Sequence, residues 1–257
     1  MNDSVGPVPA VPPTETSFRL WMDYLISPRG DVPEWPWLLR ELLIAEFTRQ
    51  RSIGFCYASE VFKDRDTGDP TLATIAEKRQ VRDLYHFCLE TTAGCFTIGN
   101  TPFWLLGYEW PNQGRDKMRR ADLVGLTVDG GLVVFECKLS DNPYGPFAAV
   151  LEGLDYLACL TSKANSEKIL EGFSRWLAKP NKVRPPGFET TRPDFARQHR
   201  VIVLATKGYF DLYGRRCGRG QGWSAFASLG AGRESDVVAF QFAETDFRTA
   251  TGSWITG

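Results

Sequence analysis

Residues 119–142, RRADLVGLTVDGGLVVFECKLSDN, decide the fold of this chain. Two runs rich in apolar and β-branched residues flank Asp129-Gly130-Gly131, and this pattern predicts a β-hairpin. A three-residue loop takes a glycine at its left-handed position, and Gly131 supplies one. We therefore predict two antiparallel strands joined by Asp129-Gly130-Gly131.

The loop length decides which side chains share a face of this hairpin. A three-residue loop at this position places Asp122 opposite Lys138, and the alternation of side chains then puts Asp122, Glu136 and Lys138 on one face. A two-residue loop would place Asp122 opposite Cys137, on the other face from Glu136. We expect the three-residue loop and a shared face.

Two carboxylates and an ammonium on one face can bind a divalent cation and a phosphate. Mg²⁺ binds one or two carboxylates and several waters, so Asp122 and Glu136 suit it, and the backbone carbonyl of Cys137 could complete the coordination. Lys138 could orient a water or offset charge at phosphorus. The alternative is an exposed Glu136–Lys138 pair. We favour a site because the hairpin is apolar on both faces, and buried charges are costly.

The rest of the chain predicts an α/β fold with a mixed β-sheet core flanked by helices. The continuous apolar run at 200–206 is typical of a buried parallel strand. We divide the chain into a disordered proline-rich lead-in (1–17), a helical N-terminal extension (18–70) and a core (71–257). The predicted helices are 36–51, 72–92, 147–160 and 167–177, and the predicted strands are 103–109, 121–128, 132–139, 200–206 and 237–242.

The amino-acid composition excludes several classes of protein and argues against several kinds of catalytic and metal site. The chain has 257 residues, 43% of them hydrophobic, which excludes a disordered or fibrous protein. Two histidines and six scattered cysteines make Ser-His-Asp triads, zinc sites and a disulfide framework poor interpretations. No apolar run approaches a membrane span and the first residues do not resemble a secretory signal, so we expect a cytoplasmic protein.

The net charge of -1 conceals a basic region. Residues 175–219 hold eleven Lys and Arg against three acids, a charge of +8. Such a region suits nucleic acid, but solvated loops balanced by the acidic N-terminal half explain it equally well. The candidate nucleic-acid-binding residues are Arg115, Lys117, Arg119, Arg120, Arg215, Arg216 and Arg219.

The hairpin resembles the active-site hairpin of the PD-(D/E)XK, or restriction-endonuclease-like, nuclease superfamily. In that family an Asp opens one strand, a [D/E]-x-K triplet lies on the next, and a helix follows. Asp122, Glu136 and Lys138 match these positions, with Ala121 where the family name has proline. The resemblance covers about residues 72–242, with its specific part at 119–160. It implies a restriction-endonuclease-like fold and a nuclease that depends on Mg²⁺ or Mn²⁺.

The resemblance adds two weaker candidate features. Many members place a Glu on the helix before the first core strand as a metal ligand, and Glu77 stands there. A first-turn acid favoured by the helix dipole is the alternative. Some members carry Gln-x-x-x-Tyr on the helix after the triplet, where this chain has Glu152 and Tyr156. A plain surface pair is the alternative for these two residues.

The sequence thus predicts a metal-dependent nuclease, with DNA favoured over RNA as its substrate. A defence or restriction role follows by analogy alone, and homo-oligomerisation stays open. Two other functions remain: a nucleic-acid-binding or assembly module that does not cleave, and an unrelated α/β protein with a surface hairpin. A register with Asp122 opposite Cys137 would favour the last of these.

Overall fold

The computed structural model describes residues 35–53, 76–113, 118–142, 145–180, 182–216 and 236–255. The predicted lead-in at 1–17 lies outside these residues, as does most of the predicted extension. The helices are α1 (Trp35–Ile53), α2 (Ala76–Thr92), α3 (Pro146–Leu160), α4 (Lys163–Leu177) and α5 (Lys207–Arg216). The strands are β1 (Cys95–Ile98), β2 (Thr101–Gln113), β3 (Met118–Leu126), β4 (Leu132–Lys138), β5 (His199–Ala205), β6 (Val238–Glu244) and β7 (Thr251–Trp254).

The seven strands form a closed barrel in chain order. Strands β1 to β4 pair antiparallel, and β4, β5 and β6 pair parallel. The prediction of a buried parallel strand at 200–206 is confirmed, since β5 lies between two parallel neighbours. Strand β7 pairs antiparallel with β6 and parallel with β1, which closes the barrel.

The predicted restriction-endonuclease-like α/β fold, with a mixed sheet flanked by helices, is wrong because the sheet is closed. Two backbone hydrogen bonds join its ends: the Thr97 amide donates to the Ala250 carbonyl (2.9 Å) and the Gly99 amide to the Gly252 carbonyl (3.0 Å). The sequence analysis missed β1 and β7, which have four residues each. Strand β7 reads TGSW, which is short and contains a glycine, a residue depleted in strands.

Apolar side chains cover both faces of the β3–β4 hairpin. One face packs against a cluster that includes α1, α3 and α4, and the other packs against a cluster that includes α2. Each fully buried large apolar side chain contributes about 1.5–3 kcal/mol of transfer free energy, so both layers hold the hairpin in place. The first face carries Val124, Leu126, Leu132 and Val134, and the second carries Leu123, Val133, Phe135 and Cys137.

The helices belong to the same packed unit as the barrel. Helix α1, predicted at 36–51, contributes the fully buried Phe47 to the cluster that α3 shares with the hairpin. Helix α5 was not predicted. Among the described residues no helix combines the length and the apolar character that a membrane span requires.

The cysteines of the described residues are not all reduced. Cys88, Cys95 and Cys137 are free thiols. Cys159 on α3 is disulfide-bonded, a bond that the scattered cysteine spacing did not predict.

Closure of the barrel can be tested at Gly252. A Cβ atom there would lie 2.8 Å from the Glu244 carbonyl oxygen, which belongs to the backbone of β6. We expect Gly252→Val to lower the free energy of unfolding by about 1–3 kcal/mol in urea titrations. Ser253→Val, at an exposed position of the same strand, should change it by less than about 0.5 kcal/mol. Equal effects of the two substitutions would contradict the packing of β7 against β6.

Candidate carboxylate–lysine site

The hairpin loop has the predicted length but lies one residue earlier. It consists of Val128-Asp129-Gly130, and the Thr127 amide closes it by donating to the Gly131 carbonyl (2.9 Å). Gly130 has a φ of +93°, so it occupies the left-handed position that we assigned to Gly131. The turn is stabilised where Thr127 Oγ1 donates to Asp129 Oδ1 at 2.5 Å.

The shifted loop changes the register of the hairpin by two residues. Leu123 pairs with Phe135, and extending this register places Asp122 opposite Glu136 rather than Lys138. The predicted pairing is therefore wrong. A shift of two residues nevertheless keeps every side chain on its face, because the side-chain period of a strand is two. The alternative register, with Asp122 opposite Cys137, is also excluded, so the observation that would have favoured a surface hairpin is not met.

Asp122 lies where β3 separates from β4. The strand pairing stops at Leu123, and the Asp122 carboxylate accepts a hydrogen bond from the Cys137 amide at Oδ2 (2.8 Å). The side chain thus replaces the main-chain partner that a continued ladder would offer. Beyond this fork β3 stays paired with β2, as far as Met118.

Glu136 and Lys138 are buried charged residues on the next strand, only 2% and 6% exposed. The Lys138 ammonium donates to Glu136 Oε2 (3.4 Å) and to Glu152 Oε2 (3.1 Å). Glu136 Oε1 is buried and has no hydrogen-bond partner among the described residues. A buried carboxylate oxygen without a partner is costly, so this atom indicates a place for a ligand.

Helix α3 lies directly on the Glu136 side chain. A Cβ atom at Gly153 would come within 3.1 Å of Glu136 Cγ and 2.5 Å of Val201 Cγ1, so only glycine allows this approach. Glu152, the preceding residue, is thereby placed beside Lys138. Tyr156 lies one turn further along α3 and is buried in the cluster under the hairpin.

Glu77 reaches the end of β4 from the first turn of α2. Its Oε2 accepts hydrogen bonds from the Leu139 amide (3.3 Å) and from Asn142 Nδ2 (2.9 Å). Its negative charge raises the pKa of Asp122. The structure therefore brings Glu77 to the edge of the group formed by Asp122, Glu136 and Lys138.

Burial and mutual repulsion control the protonation of this group. Burial raises the pKa of Asp122 to about 7. The charge of Lys138 and the hydrogen bond from the Cys137 amide lower this pKa, and the charges of Glu77 and Glu109 raise it further. The pKa of Glu136 lies well above its ordinary value because of burial and the charge of Asp122. Burial lowers the pKa of Lys138, but the surrounding carboxylates outweigh burial and raise it, so the ammonium stays charged.

Two residues near this site were not predicted from the sequence. Glu109 on β2 is 2% exposed and forms an ion pair with Lys78, whose Nζ lies 3.4 Å from Glu109 Oε2. A single acid inside the apolar run FWLLGYEW was the signal that could have found it. Tyr209, on the unpredicted α5, is buried, and burial raises the pKa of its phenol, which also experiences the charges of Lys138 and Glu152.

The residues present fit a Mg²⁺ or Mn²⁺ ion held by two carboxylates and water. Mg²⁺ binds in this way in many proteins, and Glu136 Oε1 is an oxygen without another partner. Among the described residues, no three His, Cys, Asp or Glu side chains are arranged to hold a metal on their own. A third protein ligand, whether Glu77 or the Cys137 carbonyl, stays a prediction.

The side chains of all seven candidate nucleic-acid-binding residues lie outside the described part of the chain. Arg115, Lys117 and Arg219 lie outside the described residues, as do the side chains of Arg119, Arg120, Arg215 and Arg216. Several other cations of the basic region serve the fold. Arg184 lies over the Trp104 ring (5.5 Å) and donates to the Phe188 carbonyl (3.0 Å), and Arg200 donates to Gln241 (3.0 Å).

Comparison with known proteins does not assign this site. No model of a protein family, no curated protein and no solved structure matches the chain. Functional inference therefore rests on the residues of the site and their geometry.

The raised pKa of Asp122 predicts how stability depends on pH without metal. The folded protein keeps the Asp122 proton up to about pH 7, whereas the unfolded chain releases it near its ordinary value of about 3.9. Asp122 therefore favours folding below about pH 4, and this contribution is lost as the pH rises to about 7. As the pH rises over that range, we expect the free energy of unfolding of Asp122→Asn to increase relative to the wild type. The increase should be on the order of 4 kcal/mol in urea unfolding, since a shift of about three pKa units is worth about 1.4 kcal/mol per unit. A constant difference would contradict the prediction, and Asp141→Asn, at an exposed aspartate, is the control.

Proposed function

We propose that the chain is a metal-dependent nuclease that hydrolyses phosphodiester bonds in nucleic acid, with DNA favoured over RNA. The observation that carries the proposal is the buried, unpaired Glu136 Oε1 in a group of carboxylates with one charged lysine. This local arrangement and the sequence motif support the proposal, and the closure of the barrel does not bear on it.

Asp122 and Glu136 are the residues that would hold Mg²⁺ or Mn²⁺, with Glu77 at the edge of the site. Such an ion, when bound, supplies a water of lowered pKa and a positive charge close to the phosphate. The Cys137 amide fixes Asp122, because it donates to Oδ2 and limits the rotation of the carboxylate. Gly153 lets α3 pack on the stem of Glu136, which holds this carboxylate in one place.

Lys138 is the positive group of the site. Its ammonium is held between Glu136 and Glu152, and it stays protonated because carboxylates surround it. A fixed ammonium in a water-poor site can donate a hydrogen bond to a phosphate oxygen and stabilise negative charge that develops there. Glu152, whose side chain is 41% exposed, is a positioning residue for Lys138 on the solvent side.

Nucleic acid is the substrate class that the charges favour. The site itself is acidic, so a polyanion needs cations around it, and residues 175–219 together with 115–120 supply them in the sequence. A phosphodiester also matches the chemistry of a carboxylate-held divalent cation beside a lysine.

The test is a cleavage assay on plasmid, linear duplex, single-stranded DNA and RNA with Mg²⁺, Mn²⁺ or EDTA. We expect cleavage that requires the metal. We also expect Lys138→Met and Glu136→Gln each to reduce it by about 100-fold or more, because each removes a charge from the site. Circular dichroism checks that the variants are folded.

Matched controls come from the exposed face of α4. Lys163→Met and Glu167→Gln make the same changes at exposed positions and should leave cleavage unchanged. Metal-dependent cleavage that persists in both site variants would overturn the site assignment. A folded wild type that binds these nucleic acids and cleaves none of them would replace the proposal with the non-cleaving binding module.

A further inference from the structure

The Lys78–Glu109 ion pair lies beside the proposed site and takes no part in the roles assigned above. Lys78 Nζ is 3.4 Å from Glu109 Oε2. Lys78 follows Glu77 directly on the first turn of α2, and its side chain is about one-third exposed. Glu109 is almost fully buried. A buried carboxylate needs compensation, which accounts for the presence of Lys78 but not for the presence of Glu109.

The register of the barrel places Glu109 next to Asp122. Tyr108 pairs with Leu123 and Trp110 pairs with Ala121, so the residues between them, Glu109 and Asp122, stand opposite each other on neighbouring strands. Glu136 lies on the other side of Asp122, one residue past the last pair of β3 with β4, and Glu109 is the residue opposite Asp122 on β2. Opposite residues have Cα atoms roughly 4.5–5.5 Å apart.

The backbone at Glu109 is strained. Its φ is +50°, in the left-handed region that residues other than glycine, asparagine and aspartate seldom occupy. Asparagine or glycine would adopt this conformation more easily and would leave no buried charge. A strained non-glycine residue next to a candidate site favours a functional role over a purely structural one.

We propose that Lys78 and Glu109 form a charge-setting pair that controls how strongly the neighbouring carboxylates bind a divalent cation. Glu109 adds negative potential at Asp122, and Lys78 offsets part of that potential from the solvent side. Both act through Asp122 and neither is a ligand, so they are positioning residues in the electrostatic sense. The inference rests on the proposed metal site.

The two members of the pair must act with opposite sign. Removing the negative charge with Glu109→Gln should weaken cation binding, and removing the positive charge with Lys78→Met should strengthen it. A pair with a purely structural role would not behave in this way, because either substitution would disturb the same contact and shift binding in the same direction. The double variant removes both charges and should return close to the wild type.

The experiment measures Mn²⁺ binding to the full chain at pH 8 by electron paramagnetic resonance of the free ion. We expect the dissociation constant to rise about three- to tenfold in Glu109→Gln and to fall by a similar factor in Lys78→Met. Lys163→Met, the same substitution on α4, should leave it unchanged. Glu109→Asn, which tolerates the left-handed backbone, replaces Glu109→Gln if that variant does not fold.

Each outcome decides the inference. Opposite shifts in the single variants, with near wild-type binding in the double variant, support it. Shifts in the same direction, or no shift in either variant, overturn the charge-setting role and leave the metal site intact. A wild type that binds no Mn²⁺ overturns both the metal site and this inference.

Discussion

The structure depends on a charged group buried in an apolar wall. Every residue of β4 is buried, and yet the strand carries Glu136 and Lys138 at consecutive positions of one face. The two charges compensate each other, and Glu152 adds a second carboxylate to the same ammonium. Burying an ion pair is costly unless its geometry is fixed. Two contacts fix the geometry here. Helix α3 packs on Glu136 at Gly153, and Asp122 of β3 accepts a hydrogen bond from the Cys137 amide.

The separation of β3 from β4 at Asp122 is the second constraint, because it frees the Cys137 amide to hold the Asp122 carboxylate. Had the ladder continued, the Cys137 amide would have faced the backbone near Ala121, and the Asp122 carboxylate would have had no fixed place. Because β3 turns away with β2, the carboxylate accepts the amide itself at 2.8 Å. Asp122 is then confined between Glu109 and Glu136. Burial is the main reason that its pKa rises to about 7, and the negative charges of Glu77 and Glu109 add smaller contributions. A divalent cation is the ligand that relieves such confinement most directly.

The sequence predicted the shared face of three charged residues better than it predicted the fold. The shared face of Asp122, Glu136 and Lys138 depends only on the parity of the register, so an error of one residue in the loop did not affect it. Loop placement was wrong because both Gly130 and Gly131 can take the left-handed position. The contacts of the observed loop include a long-range one, in which the Asp194 amide donates to the Gly130 carbonyl (2.9 Å). Barrel closure depends on two strands of only four residues each, β1 and β7, whose pairing with each other is non-local. Glu109 required the register of β2, which a single sequence does not contain.

The correction of the fold does not change the local contacts of the candidate site. The hydrogen bonds described at the site join β3, β4, α2, α3 and the residues that directly follow β4. These elements pack through the two faces of one hairpin, and the strand pairs that close the barrel belong to β1, β6 and β7. Both an open sheet and a closed barrel can hold a local group of side chains of this kind, since function resides in the site and not in the fold. The sequence motif therefore still supports a proposal about the chemistry of the chain, although it was wrong about the architecture.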